Sequence, residues 1–152
     1  MARLLDVNVL VALFWQNHIH HDAALHWFVA RRAQGWATCC LTELAFLRVS
    51  MCISSDKNAV TFADAQRTLK LNVAAADHEF WSLDYTPSQM LPEIQQRIRG
   101  HQQVPDALLL DLAIRRQGKL ATFDKRILSL LPAGSRHRPA IEVIDDARSA
   151  KP

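Results

Sequence analysis

Cysteine, glycine and long apolar runs are all scarce in this sequence. Its 152 residues include three cysteines and four glycines. Cys39, Cys40 and Cys52 are odd in number, and adjacent Cys39 and Cys40 are poorly placed to bridge each other. No CxxC pair meets a second such pair or spaced histidines, which argues against a zinc module. No stretch reaches the roughly 18 apolar residues of a membrane span. No signal peptide is expected either, because Arg3 and Asp6 interrupt the apolar start. These absences predict a cytoplasmic protein with no membrane partner. A strong charge of one sign is lacking too: 18 basic residues face 15 acidic ones, a net +3. That balance permits a nucleic-acid partner without arguing for one. Disorder is excluded by the 49% hydrophobic content.

What is present is a set of short apolar runs alternating with helical patterns. Arg3–Val7 reads as a first strand, with Asn8 capping a helix over Val9–Trp15. His20–Gln34 reads as a helix ended by Gly35, and Trp36–Cys39 as a second strand. A helix from Thr42 to about Ile53 stops at Ser54-Ser55-Asp56. Helices are expected near Phe62–Leu71, Ala75–Leu83 and Gln89–Arg99, then a strong one over Val104–Arg116. Lys119–Phe123 is a third strand, Asp124–Leu131 a short helix and Ile141–Ile144 a last strand. The alternation predicts an α/β fold with a mostly parallel sheet of four or five strands flanked by helices. One domain should span residues 1–147, with a flexible tail at 148–152.

Four acids interrupt apolar sequence at element edges. Asp6 ends the first strand, Glu43 opens the helix after the second, Asp106 opens the long helix, and Asp124 follows the third strand. Ligands of open parallel sheets bind outside the carboxyl ends of the strands, which all four can reach. Asp106 shares a helical stripe with Leu109, Leu110 and Ala113. Asp111 lies about 140° away around the helix and is expected to face solvent beside Arg115. Taken singly, each acid reads as a cap or first-turn residue. Taken together, like charges about 4 Å apart would repel by on the order of 4 kcal/mol unless they protonate or hold a cation. An all-oxygen donor set suits Mg²⁺ or Mn²⁺ and points to metal-assisted phosphodiester hydrolysis.

Four runs then carry a resemblance. They are Leu4-Leu5-Asp6-Val7-Asn8-Val9-Leu10, the run from Leu41 through Thr42-Glu43 to Val49, Val104-Pro105-Asp106-Ala107-Leu108-Leu109, and Leu120-Ala121-Thr122-Phe123-Asp124-Lys125. In this order they resemble the motifs of PIN domains, and of VapC-type toxins from bacterial toxin–antitoxin pairs in particular. The resemblance runs from about residue 3 to residue 145. It implies a metal-dependent endoribonuclease in which Asp6 and Asp106 are the chief Mg²⁺ or Mn²⁺ ligands and Asp124 completes the shell. Glu43 would bind a second metal or orient the attacking water, and Asn8 and Thr122 would line the pocket. It also implies an RNA substrate, a VapB-like antitoxin partner and a homodimer. Pro105 departs from the family pattern, where Ser, Thr or Asn is usual, but proline is tolerated in a first helical turn. Arg48, Lys125 and Arg126 are the expected contacts to the RNA backbone.

Two other readings compete with a nuclease. One is a PIN-like module that binds RNA or protein without cutting. The other is an aspartate-based phosphatase, which usually wants an Asp where Asn8 stands. The four acids also change the meaning of the net charge. Setting them aside leaves 18 basic residues against 11 acidic ones, so the rest of the chain is distinctly basic.

Overall fold

The computed structural model describes residues 1–53 and 59–145; the expected break at Ser54-Ser55-Asp56 and the tail at 148–152 lie outside the described residues. Five strands form one sheet: β1 (Arg3–Leu5), β2 (Trp36–Thr38), β3 (His78–Phe80), β4 (Lys119–Thr122) and β5 (Ile141–Val143). The spatial order is β3-β2-β1-β4-β5, and every pairing is parallel. The chain leaves β1 toward β2, while β4 arrives on β1's other side. The order therefore reverses at β1, which makes the carboxyl ends of β1 and β4 the place where an open sheet leaves a crevice.

Helices cover both faces. They are α1 (Val7–Phe14), α2 (His21–Arg31), α3 (Cys40–Ser50), α4 (Phe62–Val73), the short α5 (Pro92–Gln95) and α6 (Gln103–Arg115). Alternation along β1 divides the core. Leu4 packs on one face with Leu108, Leu112, Trp81 and Ile94, and Leu5 on the other with Val9, Leu10, Phe46 and Trp27. Both leucines are fully buried, as expected for the central strand of a sheet covered on both sides. α6 enters β4 through Gln117, at φ 53°, and Gly118. A Cβ on Gly118 would overlap the Trp81 ring and the Ala2 carbonyl, so only glycine fits this turn.

Several expectations are corrected. The first strand stops at Leu5, and Asp6 rather than Asn8 caps α1, through an extended backbone and a bond from the Val7 N–H. The Ala75–Leu83 segment is the edge strand β3, not a helix. Its three residues pair with β2, and that tertiary pairing overrides the local helical pattern. Within Gln89–Arg99, only Pro92–Gln95 forms an α-helix, since Pro92 has no N–H to continue one from upstream. The turns after β4 are 3₁₀, over Lys125–Leu130.

Asp111 is the largest correction. It is fully buried, because Trp81, Tyr85, Leu91 and Ile94 cover the outer side of α6. Its carboxylate accepts the Leu91 N–H at 2.7 Å and Arg115 Nε at 2.6 Å. Arg115 in turn lies 4.2 Å from the centroid of the Tyr85 ring and donates to the Gln89 carbonyl.

Candidate functional site

Asp6 sits where β1 turns into α1, and its carboxylate is almost completely enclosed. Oδ1 accepts the Val7 N–H at 2.7 Å, and Oδ2 accepts Thr122 Oγ1 at 2.6 Å and Asn8 Nδ2 at 2.8 Å. Asn8 Nδ2 also meets Thr122 Oγ1, and Asn8 Oδ1 accepts the Phe123 N–H. Asn8 and Thr122 therefore tie the ends of β1 and β4 together around one carboxylate. Burial raises the Asp6 pKa, against the pull of these donors.

Asp106 stands in the first turn of α6, with Pro105 just before it where no intrahelical N–H bond is lost. Its carboxyl is pushed up to about 6, first by burial and then by the negative charges of Asp6 and Asp124. Asp124 caps the 3₁₀ segment after β4 and is gripped by Arg126, whose Nε and Nη2 donate at 2.7–3.0 Å. That guanidinium holds Asp124 below the usual carboxylate range. Three acids from separate elements thus share one field at the carboxyl edge of the sheet.

Glu43 is engaged differently. From the first turn of α3 it accepts Thr38 Oγ1 at 2.6 Å, and the same hydroxyl meets His78 Nε2 at 2.8 Å. Neither Thr38 nor His78 was singled out from the sequence. His78 could not be placed there, because its strand reads as helix. Of the expected RNA contacts, Arg126 lies at the acids, Lys125 pairs with Asp145, and Arg48 is exposed five residues beyond Glu43. A cavity of about 400 Å³ opens beside Asp106, lined by Arg99, Gln102 and Gln103 on one side and by Arg126 and Ile127 on the other.

Among the described residues, no three His, Cys, Asp or Glu side chains stand close enough together to hold a metal ion. The donor chemistry nonetheless fits a hard divalent cation. Asp106 is a carboxyl held up in pKa by burial and then by two neighbouring carboxylates, and all three offer oxygen. The linkage has a definite sign. Folding raises Asp106 above its unfolded value of about 3.9, so ionising it costs stability, and this cost grows as pH rises from about 4 to about 6 and then levels off. The metal-free protein should therefore lose melting temperature between pH 5 and 7.5 through this group. Asp106→Asn should flatten that dependence and melt no lower than wild type at pH 7.5. An unchanged pH slope in the variant, measured by circular dichroism, would contradict this account of the site.

Three comparisons bear on the arrangement. Residues 3–130 match the family described as PIN domain. The chain is 42% identical over 141 residues to Ribonuclease VapC38 of Mycobacterium tuberculosis, covering 93% of this chain and 96% of that protein. It is 38% identical over 134 residues to Ribonuclease VapC39 of the same species, covering 88% and 96%. Its fold is similar to a chain in the crystal structure of VapBC2 from Rickettsia felis bound to a DNA fragment from their promoter. There the TM-score is 0.61 at 18% identity, over 95% of this chain and 100% of that one.

Proposed function

The chain belongs to the PIN-domain family, among the VapC ribonucleases, and from that premise we propose that it is the endoribonuclease toxin of a type II toxin–antitoxin pair, dependent on Mg²⁺ or Mn²⁺. The observation that carries the reading is the raised Asp106 carboxyl, flanked by Asp6 and Asp124 at the sheet's reversal point. A module that only bound RNA would gain nothing from that repulsion.

In this reading Asp6 and Asp106 would hold a divalent ion, with Asp124, now paired with Arg126, as the third oxygen donor. Such an ion would supply Lewis acidity to water and to the phosphate. Glu43 orients the attacking water and takes its proton. Asn8 and Thr122 hold Asp6 in place and oppose the rise that burial causes in its pKa. Arg126 and Lys125 bind backbone phosphates, with Arg48 further out. Water oxygen bonds to phosphorus and the opposite P–O bond breaks, leaving one hydroxyl end and one phosphate monoester end.

For partners we assign RNA as substrate, a VapB-like antitoxin as inhibitor and a second copy of the chain as a homodimer mate. A basic antitoxin side chain complements the acidic pocket. Exposed Leu25, Val29, Leu44 and Leu71 offer apolar surface for such contacts. We place the protein in the cytoplasm with its RNA; its three cysteines are free thiols. Among the described residues, no helix is long and apolar enough to cross a membrane.

The test incubates purified protein and RNA with Mg²⁺, with Mn²⁺ or with excess chelator. Cleavage is expected only with the cations, and the new ends should carry no cyclic phosphate. RNA binding without cleavage in all three conditions would overturn the assignment in favour of a non-cutting module.

A further inference from the structure

The carboxylate of Glu43 is held by the Thr38 hydroxyl, which has a histidine behind it. Trp36 and Thr38 point to the same face of β2, because strand side chains alternate with a period of two. His78 pairs directly with Trp36 in the parallel register, so its ring stands on that face as well. The imidazole lies 4.5 Å from the Trp36 ring, and Trp36 is packed edge-on against Phe14 and Phe28. The aromatic core thus fixes the imidazole, the imidazole meets Thr38 Oγ1, and Thr38 Oγ1 meets Glu43.

Proton count sets the direction of this chain. The Thr38 hydroxyl has one proton and two neighbours. That proton points to Glu43, to which the hydroxyl donates at 2.6 Å. With that proton used, His78 Nε2, at 2.8 Å, can bond the same oxygen only as a donor, so the chain requires a ring protonated on Nε2. Thr38 is fully buried, so water does not compete for either bond. Among the described residues, the second carboxylate oxygen of Glu43 has no hydrogen-bond partner.

We propose that Thr38 and His78 are positioning residues of the cleavage site: the His78–Thr38 pair locks one oxygen of Glu43 and so aims the other at the attacking water. The inference rests on the ribonuclease reading. Partners of this kind, one step behind a reacting carboxylate, are typically worth 10- to 100-fold in activity.

Thr38→Val keeps the shape and removes the hydroxyl; Thr38→Ser keeps the hydroxyl; His78→Phe keeps the ring against Trp36 and removes the Nε2 proton. In single-turnover RNA cleavage, Thr38→Val should lower kcat by about 10- to 100-fold with KM within about threefold of wild type. Thr38→Ser should restore most of the rate, and His78→Phe should fall between the two. In a Glu43→Gln background, Thr38→Val should add almost nothing, because both changes remove one unit. A second readout needs no activity. ¹⁵N NMR should show a proton on His78 Nε2 that exchanges slowly in wild type and is lost as a protected signal in Thr38→Val.

Three outcomes would overturn the proposal: Thr38→Val at wild-type kcat, losses that multiply in the double variant, or a His78 tautomer protonated only on Nδ1. Should wild type cut no RNA with either cation, the ribonuclease assignment falls on its own, and the NMR result still decides whether the three side chains are coupled. Thermal melts of each variant separate a loss of rate from a loss of fold.

Discussion

Asp6→Asn should lower RNA cleavage by about 10³-fold or more while the protein still melts cooperatively. Loss of one preorganised electrostatic partner at a reacting phosphate typically costs about 10²–10³-fold. On the proposed reading Asp6 should lie at the high end, because it would hold the metal ion and its charge helps to raise Asp106. The near-isosteric amide keeps an oxygen for the Val7 N–H. It turns an NH₂ toward Asn8 Nδ2 and Thr122 Oγ1, which both donate to Asp6 Oδ2 at present. The Thr122 hydroxyl already accepts from Asn8 Nδ2 and the Asp124 N–H, so that contact is lost, but the buried charge goes with it, and the fold should survive with a melting temperature lower by only a few degrees. The measurement is a single-turnover rate on labelled RNA with a parallel melt. A folded variant retaining more than about a tenth of the wild-type rate would remove Asp6 from the site.

Asp111→Ala should have the largest effect on stability, and none of it should come through the cleavage site. The carboxylate holds the Leu91 N–H and the Arg115 guanidinium from a position with no solvent access. Removing it orphans a backbone donor and the charge of Arg115. Breaking a buried pair in this way costs about 3–5 kcal/mol, and the partial exposure of Arg115 places the value near the lower end. For a domain of this size that is a fall of roughly 6–12 °C in melting temperature. Below the transition, the rate per folded molecule should stay close to wild type. A shift under about 2 °C would mean that the segment over α6 is not held through this carboxylate.

Asp111 also shows where sequence reasoning stops. Helical periodicity correctly put Asp106 and Asp111 on different faces of α6. It could not show that residues 81–98 form a second layer over the outer face, since that depends on how a loop with little regular structure folds back. The same limit hid β3. Three residues with an ordinary helical pattern became a strand only because β2 offered an unpaired edge. By contrast, β1, β2, β4 and β5 were legible from short apolar runs, and the parallel sheet followed from their alternation with helices. Each of the four acids was visible as a charge ending or opening an apolar element. Their partners were not. Thr122, which the resemblance places in a pocket lining, bonds Asp6, and Thr38 carries no signal of its own because threonine is common in strands.

The separation of Asp6 from the residues that complete it has a consequence for how the protein is made. Thr122, which donates to Asp6, lies 116 residues further along the chain, and Asp124 follows it. A ribosome adds about 5–20 residues per second, so on the order of ten seconds pass between the two ends of the site. Throughout that interval the nascent chain holds Asp6 without β4 beside it. On the proposed reading, a message broken anywhere before the codon for Thr122 should yield an inert fragment, and damage to RNA should begin only from chains whose translation is all but finished.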